Sequence, residues 1–145
     1  MRSAKEMIRA LELMPHPEGG FYRETFRDQA GGERGHSSAI YYLLEGGEPA
    51  AWHRLRDAVE IWHYYAGAPL ALSLVQDGAV VQPFRLGADI AGGDEPQIVV
   101  PRSCWQRAES LGAWTLCGCT VAPGFVFSQF EMAPPDWRPP VAPPL

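Results

Sequence analysis

Cysteine, positive charge and long apolar runs are all scarce in this chain. Three cysteines in 145 residues, at positions 104, 117 and 119, lack the spacing of a disulfide framework. No segment reaches the roughly 20 apolar residues of a membrane-spanning helix. Lys and Arg number 12 against 17 Asp and Glu, for a net charge of −5, and no basic run occurs. Nucleic acid and anionic membranes are therefore disfavoured as main partners.

The N-terminus also lacks the apolar core of a signal peptide, because Lys5, Glu6 and Arg9 interrupt it. We therefore expect a cytoplasmic protein. At 145 residues and 46% hydrophobic composition, the chain is long enough to bury a core as one domain. We predict a single domain over residues 1–132 and a proline-rich tail over residues 133–145.

One helix and many short strands are predicted. Ser3 and Glu6 form a capping-box pattern and Pro15 stops a helix, so the spacing predicts a helix over residues 3–14. Asp77-Gly78 is a hairpin signal, and Cys117 and Cys119 would share one strand face as small core residues. The predicted strands are 21–26, 39–44, 51–55, 60–65, 70–75, 79–86, 97–100, 113–121 and 125–131. This rhythm indicates an all-β barrel or sandwich.

His53 and Glu60 are the candidate chemical groups. Side chains two apart on a strand share a face, so His53 lies inward if Leu55 does. Glu60 follows a tight turn and is expected to face the same apolar hollow. A converging imidazole and carboxylate are the minimum equipment for metal binding or proton transfer. By the same parity, His63 faces the opposite side from Glu60.

The spacing of four residues resembles the first signature of the cupins. Gly47, His53, Glu60 and Gly67 fall on that pattern, with Leu55 in place of its second histidine. A later cupin signature resembles Pro101-Arg-Ser-Cys-Trp-Gln106, with glutamine in place of histidine. Segments 16–25, 38–44, 52–55, 60–67 and 118–125 further resemble an uncharacterised family of small single-domain cupins (cupin-5 type, a domain of unknown function). The resemblance implies a double-stranded β-helix, or jelly-roll barrel, commonly a homodimer, with a pocket in the barrel mouth.

The same resemblance raises the question of a metal. Typical metal cupins offer three imidazoles and one carboxylate, whereas this chain offers His53, Glu60 and Gln106. These three could hold Zn, Mn, Fe or Ni weakly, because an amide oxygen is a poor substitute for imidazole. We favour the alternative, a hydrogen-bonded polar cluster that recognises an organic ligand without a metal.

A second resemblance concerns the segment around residue 23. Gly20-Phe-Tyr-Arg23-Glu24-Thr-Phe26 is similar to a region of dTDP-sugar 3,5-epimerases, metal-independent cupins that abstract a proton with a histidine. Arg23 could anchor a phosphate or carboxylate and Glu24 could accept hydroxyls; an Arg–Glu pair at a dimer interface is the alternative. Further candidates for substrate binding are Tyr41, Trp62, Tyr64 and Gln106.

Three functions remain open from the sequence. The first is a metal-independent epimerase or isomerase of a carbohydrate-like or carbonyl compound, with His53 as base, Glu60 as its orienting partner and Arg23 as anchor. The second is a metal-dependent cupin enzyme that uses His53, Glu60 and Gln106. The third is a non-catalytic module that binds a small molecule.

Overall fold

Strands dominate the molecule, and the computed structural model describes residues 2–76 and 80–139. The elements in chain order are α1 (Ala4–Ala10), β1 (Met14–Pro15), β2 (Phe21–Arg27), β3 (Ser38–Glu45), β4 (Ala50–Leu55), β5 (Val59–Gly67), β6 (Leu70–Val75), β7 (Gln82–Leu86), β8 (Gln97–Val100), β9 (Trp105–Ser110), β10 (Trp114–Ala122) and β11 (Phe130–Met132). A 3-10 turn, Phe127–Gln129, precedes β11.

The strands form two sheets with antiparallel neighbours. One has the order β1-β2-β3-β10-β5-β8 and the other the order β11-β4-β9-β6-β7. Strands adjacent in each sheet are mostly distant in sequence, as in the pairing of β10 with both β3 and β5. The predicted all-β jelly-roll, or double-stranded β-helix, with one short N-terminal helix is confirmed.

The helix is shorter than its apolar spacing predicts. The Ser3 hydroxyl accepts from the Glu6 backbone N–H, and the Glu6 carboxylate returns the contact, so the capping box is present. Glu12 adopts a φ of 56°, a left-handed conformation that ends the helix before Pro15. The apolar stripe of α1 packs on Leu43 and Trp114, and so covers the outer face of the six-stranded sheet.

Several stretches differ from the sequence prediction. Strand β1 was not predicted, and the strand predicted over residues 79–86 is shorter in the structure, as β7 (Gln82–Leu86). Strand β9 was not predicted, because Gln106 and Ser110 break its apolar pattern; both are buried and hydrogen-bonded. Residues 125–131 were predicted as one strand but form the 3-10 turn followed by β11. The predicted Asp77-Gly78 hairpin lies outside the described residues.

The interior is filled at one end of the sandwich and open at the other. The filled end holds one apolar cluster that includes Tyr42, Trp62, Leu72 and Ile98, and Cys117 and Cys119 are buried there as predicted. Across residues 2–76 and 80–139, no helix has the length and apolar character to span a membrane. The beginning of the proline-rich tail packs on the barrel, with the Trp137 ring 4.9 Å from that of Trp105.

Candidate functional site

The open end of the sandwich encloses a cavity of about 200 Å³. This is smaller than the roughly 300–1,000 Å³ typical of sites for drug-sized ligands, so the cavity suits a smaller molecule. Its lining consists of His16, Glu18, Tyr22, Glu24, Arg27, Ser38, Ile40, His53, Leu55, Glu60, Cys119, Val121, Phe125, Phe127 and Phe130. Two imidazoles and two buried carboxylates therefore share a small space with an aromatic wall.

His53 is held on β4 in one orientation. Its Nδ1 lies 2.8 Å from the carbonyl oxygen of Ala51, and a carbonyl only accepts, so Nδ1 carries a proton. Burial lowers the pKa of His53, although the negative charge of Glu60 opposes this. The neutral ring therefore carries its lone pair on Nε2. That atom lies 3.3 Å from Oε2 of Glu18.

Glu18 lies between two imidazoles. Its Oε2 faces His53, and its Oε1 is 3.4 Å from Nδ1 of His16. Burial raises the pKa of Glu18 from its ordinary 4.5 to about 8, so near pH 7 the group is mainly a neutral acid. The proton that Glu18 holds can face the free lone pair of His53. Apo active sites often show such contacts as longer than an ideal hydrogen bond.

His16 is a neutral neighbour of this pair. Its Nδ1 accepts the backbone N–H of Glu18 at 3.1 Å, which places the ring proton on Nε2. Burial, and then the charge of His53, lower the pKa of His16 from 6.5 to about 4. His16 therefore stays uncharged near pH 7, and its side chain forms part of the cavity lining.

A glycine turn places Glu18 in the cavity. Gly20 has a φ of 77°, and a side chain there would lie 2.8 Å from the carbonyl oxygen of Leu43. Only glycine therefore lets the turn approach β3 so closely. Tyr42 donates its hydroxyl to the carbonyl of Gly19, and the Ala51 N–H donates to the carbonyl of Glu18. The turn is thus tied to β3 and β4.

Sequence reasoning missed His16 and Glu18 as site residues. The signal was present in the segment His16-Pro-Glu18-Gly-Gly20, where two polar residues precede paired glycines. Parity arguments apply to strands, whereas this segment is a turn between β1 and β2, so its side-chain directions could not be inferred.

Glu60 lies in the same cavity wall, and hydrogen bonds from deeper in the core fix its position. Its Oε1 accepts from Nε2 of Gln106 at 2.7 Å, and Oε1 of Gln106 accepts from the indole N–H of Trp62 at 2.8 Å. Burial raises the pKa of Glu60 from 4.5 to about 6, against the opposing charge of His53. Near pH 7 Glu60 is therefore mainly a carboxylate.

The structure brings only some of the predicted residues together. His53, Glu60 and Glu24 line the cavity, whereas Arg23, Tyr41, Trp62, Tyr64 and Gln106 do not. The predicted orienting partner of His53 also differs, because the Ala51 carbonyl, not Glu60, binds its Nδ1.

Strand direction and depth of burial explain why three of the predicted residues do not line the cavity. Arg23 alternates with Tyr22 and Glu24, so it lies on the outer face of β2, with its guanidinium 5.6 Å from the centroid of the Tyr41 ring. Trp62 shares the face of Glu60 but lies deeper, in the filled core. Gln106 is covered by Glu60 and Trp62.

Tyr64 and His63 also lie outside the cavity lining. Tyr64 donates its hydroxyl to the carbonyl of Gly67 at 2.6 Å. His63 lies on the outer sheet face, as its parity predicts, where its Nε2 is 3.1 Å from the Thr120 hydroxyl.

The donor set does not fit the metal site considered from the sequence. An indole N–H can only donate, so the oxygen of Gln106 must face Trp62 and its amide nitrogen must face Glu60. The atom of Gln106 that could bind a metal is thus already engaged. Within the described parts of the chain, no group of three His, Cys, Asp or Glu side chains is arranged to hold an ion.

Comparisons with known proteins agree with the fold. The family described as "Cupin superfamily (DUF985)" matches residues 5–133. Protein SO0799 from Shewanella oneidensis is 38% identical, with a TM-score of 0.87 over 92% of this chain and 85% of that one. A hypothetical protein from Leishmania major is 30% identical, with a TM-score of 0.81 over 90% of this chain and 86% of that one.

More distant similarities extend this pattern. The uncharacterized protein YML079W of Saccharomyces cerevisiae is 28% identical over an alignment of 149 positions, gaps included. The alignment covers 88% of this chain and 73% of the yeast protein. An oxalate decarboxylase of B. subtilis is 12% identical, with a TM-score of 0.64 over 82% of this chain and 29% of that one. At that identity the likeness concerns the fold alone.

Proposed function

This chain belongs to the DUF985 family of the cupin superfamily, and we propose that its cavity binds a small carbonyl compound and moves a proton next to the carbonyl. The reaction class is that of an isomerase or epimerase. One observation carries the proposal. Nε2 of His53, which bears the lone pair, lies 3.3 Å from a carboxyl group whose pKa burial raises to about 8, inside the cavity.

The two groups have complementary protonation states near pH 7. A base must hold a free lone pair and an acid must hold a proton, and pairs of groups whose environments separate their pKa values meet both needs. His53 supplies the lone pair and Glu18 supplies the proton. The carbonyl of Ala51 keeps the ring of His53 in the required tautomer.

The proposed steps conserve protons and electrons. Nε2 of His53 takes a proton from the carbon next to the carbonyl, and the C–H electron pair forms a C=C bond. The carbonyl π electrons move to oxygen, which receives the proton of Glu18. The Glu60 carboxylate stabilises the imidazolium by charge. His53 then returns its proton to the former carbonyl carbon while the Glu18 carboxylate takes the proton of the hydroxyl on the first carbon, which gives the isomer. Return of the His53 proton to the first carbon, after the enediol has turned its other face to the ring, gives the epimer.

The aromatic wall favours this chemistry by excluding water. Phe130 stacks on His53 with ring centroids 5.5 Å apart, and Phe127 packs against Phe130 at 5.9 Å. Interactions between charges are stronger in such surroundings than in water. The proposal needs no metal, which agrees with the engagement of the Gln106 oxygen by Trp62.

Hydrogen exchange at carbon tests the proposal without knowledge of the product. Dihydroxyacetone, glyceraldehyde and neutral ketoses are incubated with the protein in D₂O, and loss of the proton beside the carbonyl is followed by NMR. His53→Gln should slow this exchange by about 100-fold or more, the usual contribution of a general base. His63→Gln is the matched control, because His63 lies on the outer sheet face.

The outcomes separate the three functions. Equal exchange by the wild-type protein and His53→Gln refutes the assignment of His53 as base. Saturable binding of a carbonyl compound without exchange shows a binding module instead. Exchange that appears only after a transition metal is added, and that is lost again when a chelator removes the metal, shows the metal-dependent function.

A further inference from the structure

An ion pair, separate from His53 and Glu18, lies in the cavity wall. Glu24 and Arg27 are three apart on β2, a spacing that in a regular strand directs side chains to opposite faces. The pairing of β2 with β3 shifts between Glu24 and Phe26, which marks a bulge. The bulge turns Arg27 to the face of Glu24, and both side chains line the cavity.

Arg27 has little remaining capacity to bind an anion. Its Nη2 donates to Oε1 of Glu24 and, at 2.9 Å, to the carbonyl of Phe125. Its Nη1 donates to the carbonyl of Arg34 at 2.6 Å, and its Nε lies 3.4 Å from Oε2 of Glu24. Four of the five N–H groups of a guanidinium are thereby used.

No other group in the described lining offers a positive charge at neutral pH. Arg27 is the one Arg or Lys among the lining residues. Burial lowers the pKa of His16 to about 4 and also lowers that of His53, so both rings are neutral. Glu60, mainly ionised, and Glu24 add negative charge. A phosphate or carboxylate group in the cavity would therefore meet repulsion without a compensating cation.

We propose that the cavity selects uncharged carbonyl compounds, and that Glu24 sets this selectivity by occupying Arg27. This inference rests on the proposed use of the cavity as the substrate site, and adds the class of substrate. The polar end of the ligand meets the N–H of His16 and the acid of Glu18. Its C–H face packs on the aromatic wall, as expected for a small neutral sugar or hydroxyketone.

Inorganic phosphate is the first probe, and Glu24→Gln is the decisive variant. Titration of the protein with phosphate is followed by the NMR signal of the Arg27 Nε–H. The wild-type signal should barely move at millimolar phosphate. In Glu24→Gln the freed guanidinium should bind phosphate about tenfold or more tightly, because its N–H groups can then donate charge-assisted hydrogen bonds to the anion.

Two further variants make the result specific. Glu48→Gln produces the same change of net charge at an exposed turn residue and should behave as the wild-type protein does. Glu24→Ala frees Arg27 without offering a new amide and should behave as Glu24→Gln does. Phosphate binding at Arg27 that is equal in the wild-type protein and Glu24→Gln overturns the inference. A Glu24→Gln protein with no gain overturns it as well.

A matched pair of substrates links the inference to activity. The wild-type protein should exchange the proton of dihydroxyacetone faster than that of dihydroxyacetone phosphate, and Glu24→Gln should reduce or reverse this preference. Absence of exchange with either compound counts against the proposed reaction alone, since the phosphate titration reads the state of Arg27 independently. Faster exchange of the phosphate ester by the wild-type protein overturns the selectivity.

Discussion

The indole N–H of Trp62 donates to the amide oxygen of Gln106 at 2.8 Å, and this bond fixes the direction of the whole amide group. Indole nitrogen cannot accept, so the amide nitrogen of Gln106 is turned toward Glu60, 2.7 Å away. The buried tryptophan thus determines, through one intermediate side chain, that Glu60 receives a hydrogen-bond donor.

Gln106→Leu should destabilise the protein strongly. The change leaves Oε1 of Glu60 and the N–H of Trp62 without these partners, and each unpaired buried polar group costs about 1–3 kcal/mol. We expect the free energy of unfolding in urea to fall by about 2–4 kcal/mol. The exposed Gln97→Leu is the control. A loss below about 1 kcal/mol would show that Glu60 and Trp62 find other partners.

The stability of the wild-type protein should fall between pH 6.5 and pH 8. Burial raises the pKa of Glu18 from 4.5 in the unfolded chain to about 8, so the native state holds the extra proton in this range. Stability decreases with rising pH wherever the native state binds more protons. The pKa shifts of Glu60 and His16 change the stability only below pH 6.5. In that range their effects on the free energy of unfolding have opposite signs.

Glu18→Gln should remove this dependence. A fully coupled proton changes the free energy of unfolding by about 1.4 kcal/mol per pH unit, so we expect a wild-type decrease of about 1–2 kcal/mol over this range. Urea unfolding at several pH values measures it. Glu33→Gln, at an exposed loop position, should keep the wild-type slope; a slope retained in Glu18→Gln would assign it to another group.

The rate of carbon-bound hydrogen exchange should reach a plateau between about pH 6 and pH 8. Below this range Glu60, with a pKa of about 6, loses the charge that stabilises the imidazolium; above it Glu18, with a pKa of about 8, loses its proton. Glu18→Gln should abolish the alkaline decrease and lower the plateau. An alkaline decrease that persists in this variant would exclude Glu18 as the acid.

The strand pattern made much of the fold predictable, because apolar alternation and turn residues are local signals. Segments 70–75 and 97–100 were predicted with the bounds that the structure has. Strand β9 was not, because the buried Gln106 resembles a surface residue until its partners are known. Local pattern reflects burial, whereas a satisfied polar core residue depends on contacts from distant strands.

The candidate site was predictable only where it lies on regular strands. Parity placed His53 and Glu60 in one hollow and His63 outside it. Parity was not sufficient for Arg27, because a bulge in β2 changes its face, or for Glu18, because a turn carries it. The sequence also could not show how deeply a side chain is buried. Trp62 shares the face of Glu60 but lies in the filled core.

The cavity unites segments far apart along the chain, because His16 and Glu18 come from the turn before β2 and Phe130 comes from β11. On the ribosome, the acid Glu18 is therefore synthesised more than a hundred residues before Phe130, and the base His53 more than seventy residues before it. The ring of Phe130 stacks on His53 only after that interval. A nascent chain that stops short of β11 lacks the ring that stacks on His53, and as water reaches that imidazole its pKa returns toward the ordinary range. The site thus acquires its proposed chemistry only when synthesis has passed residue 130.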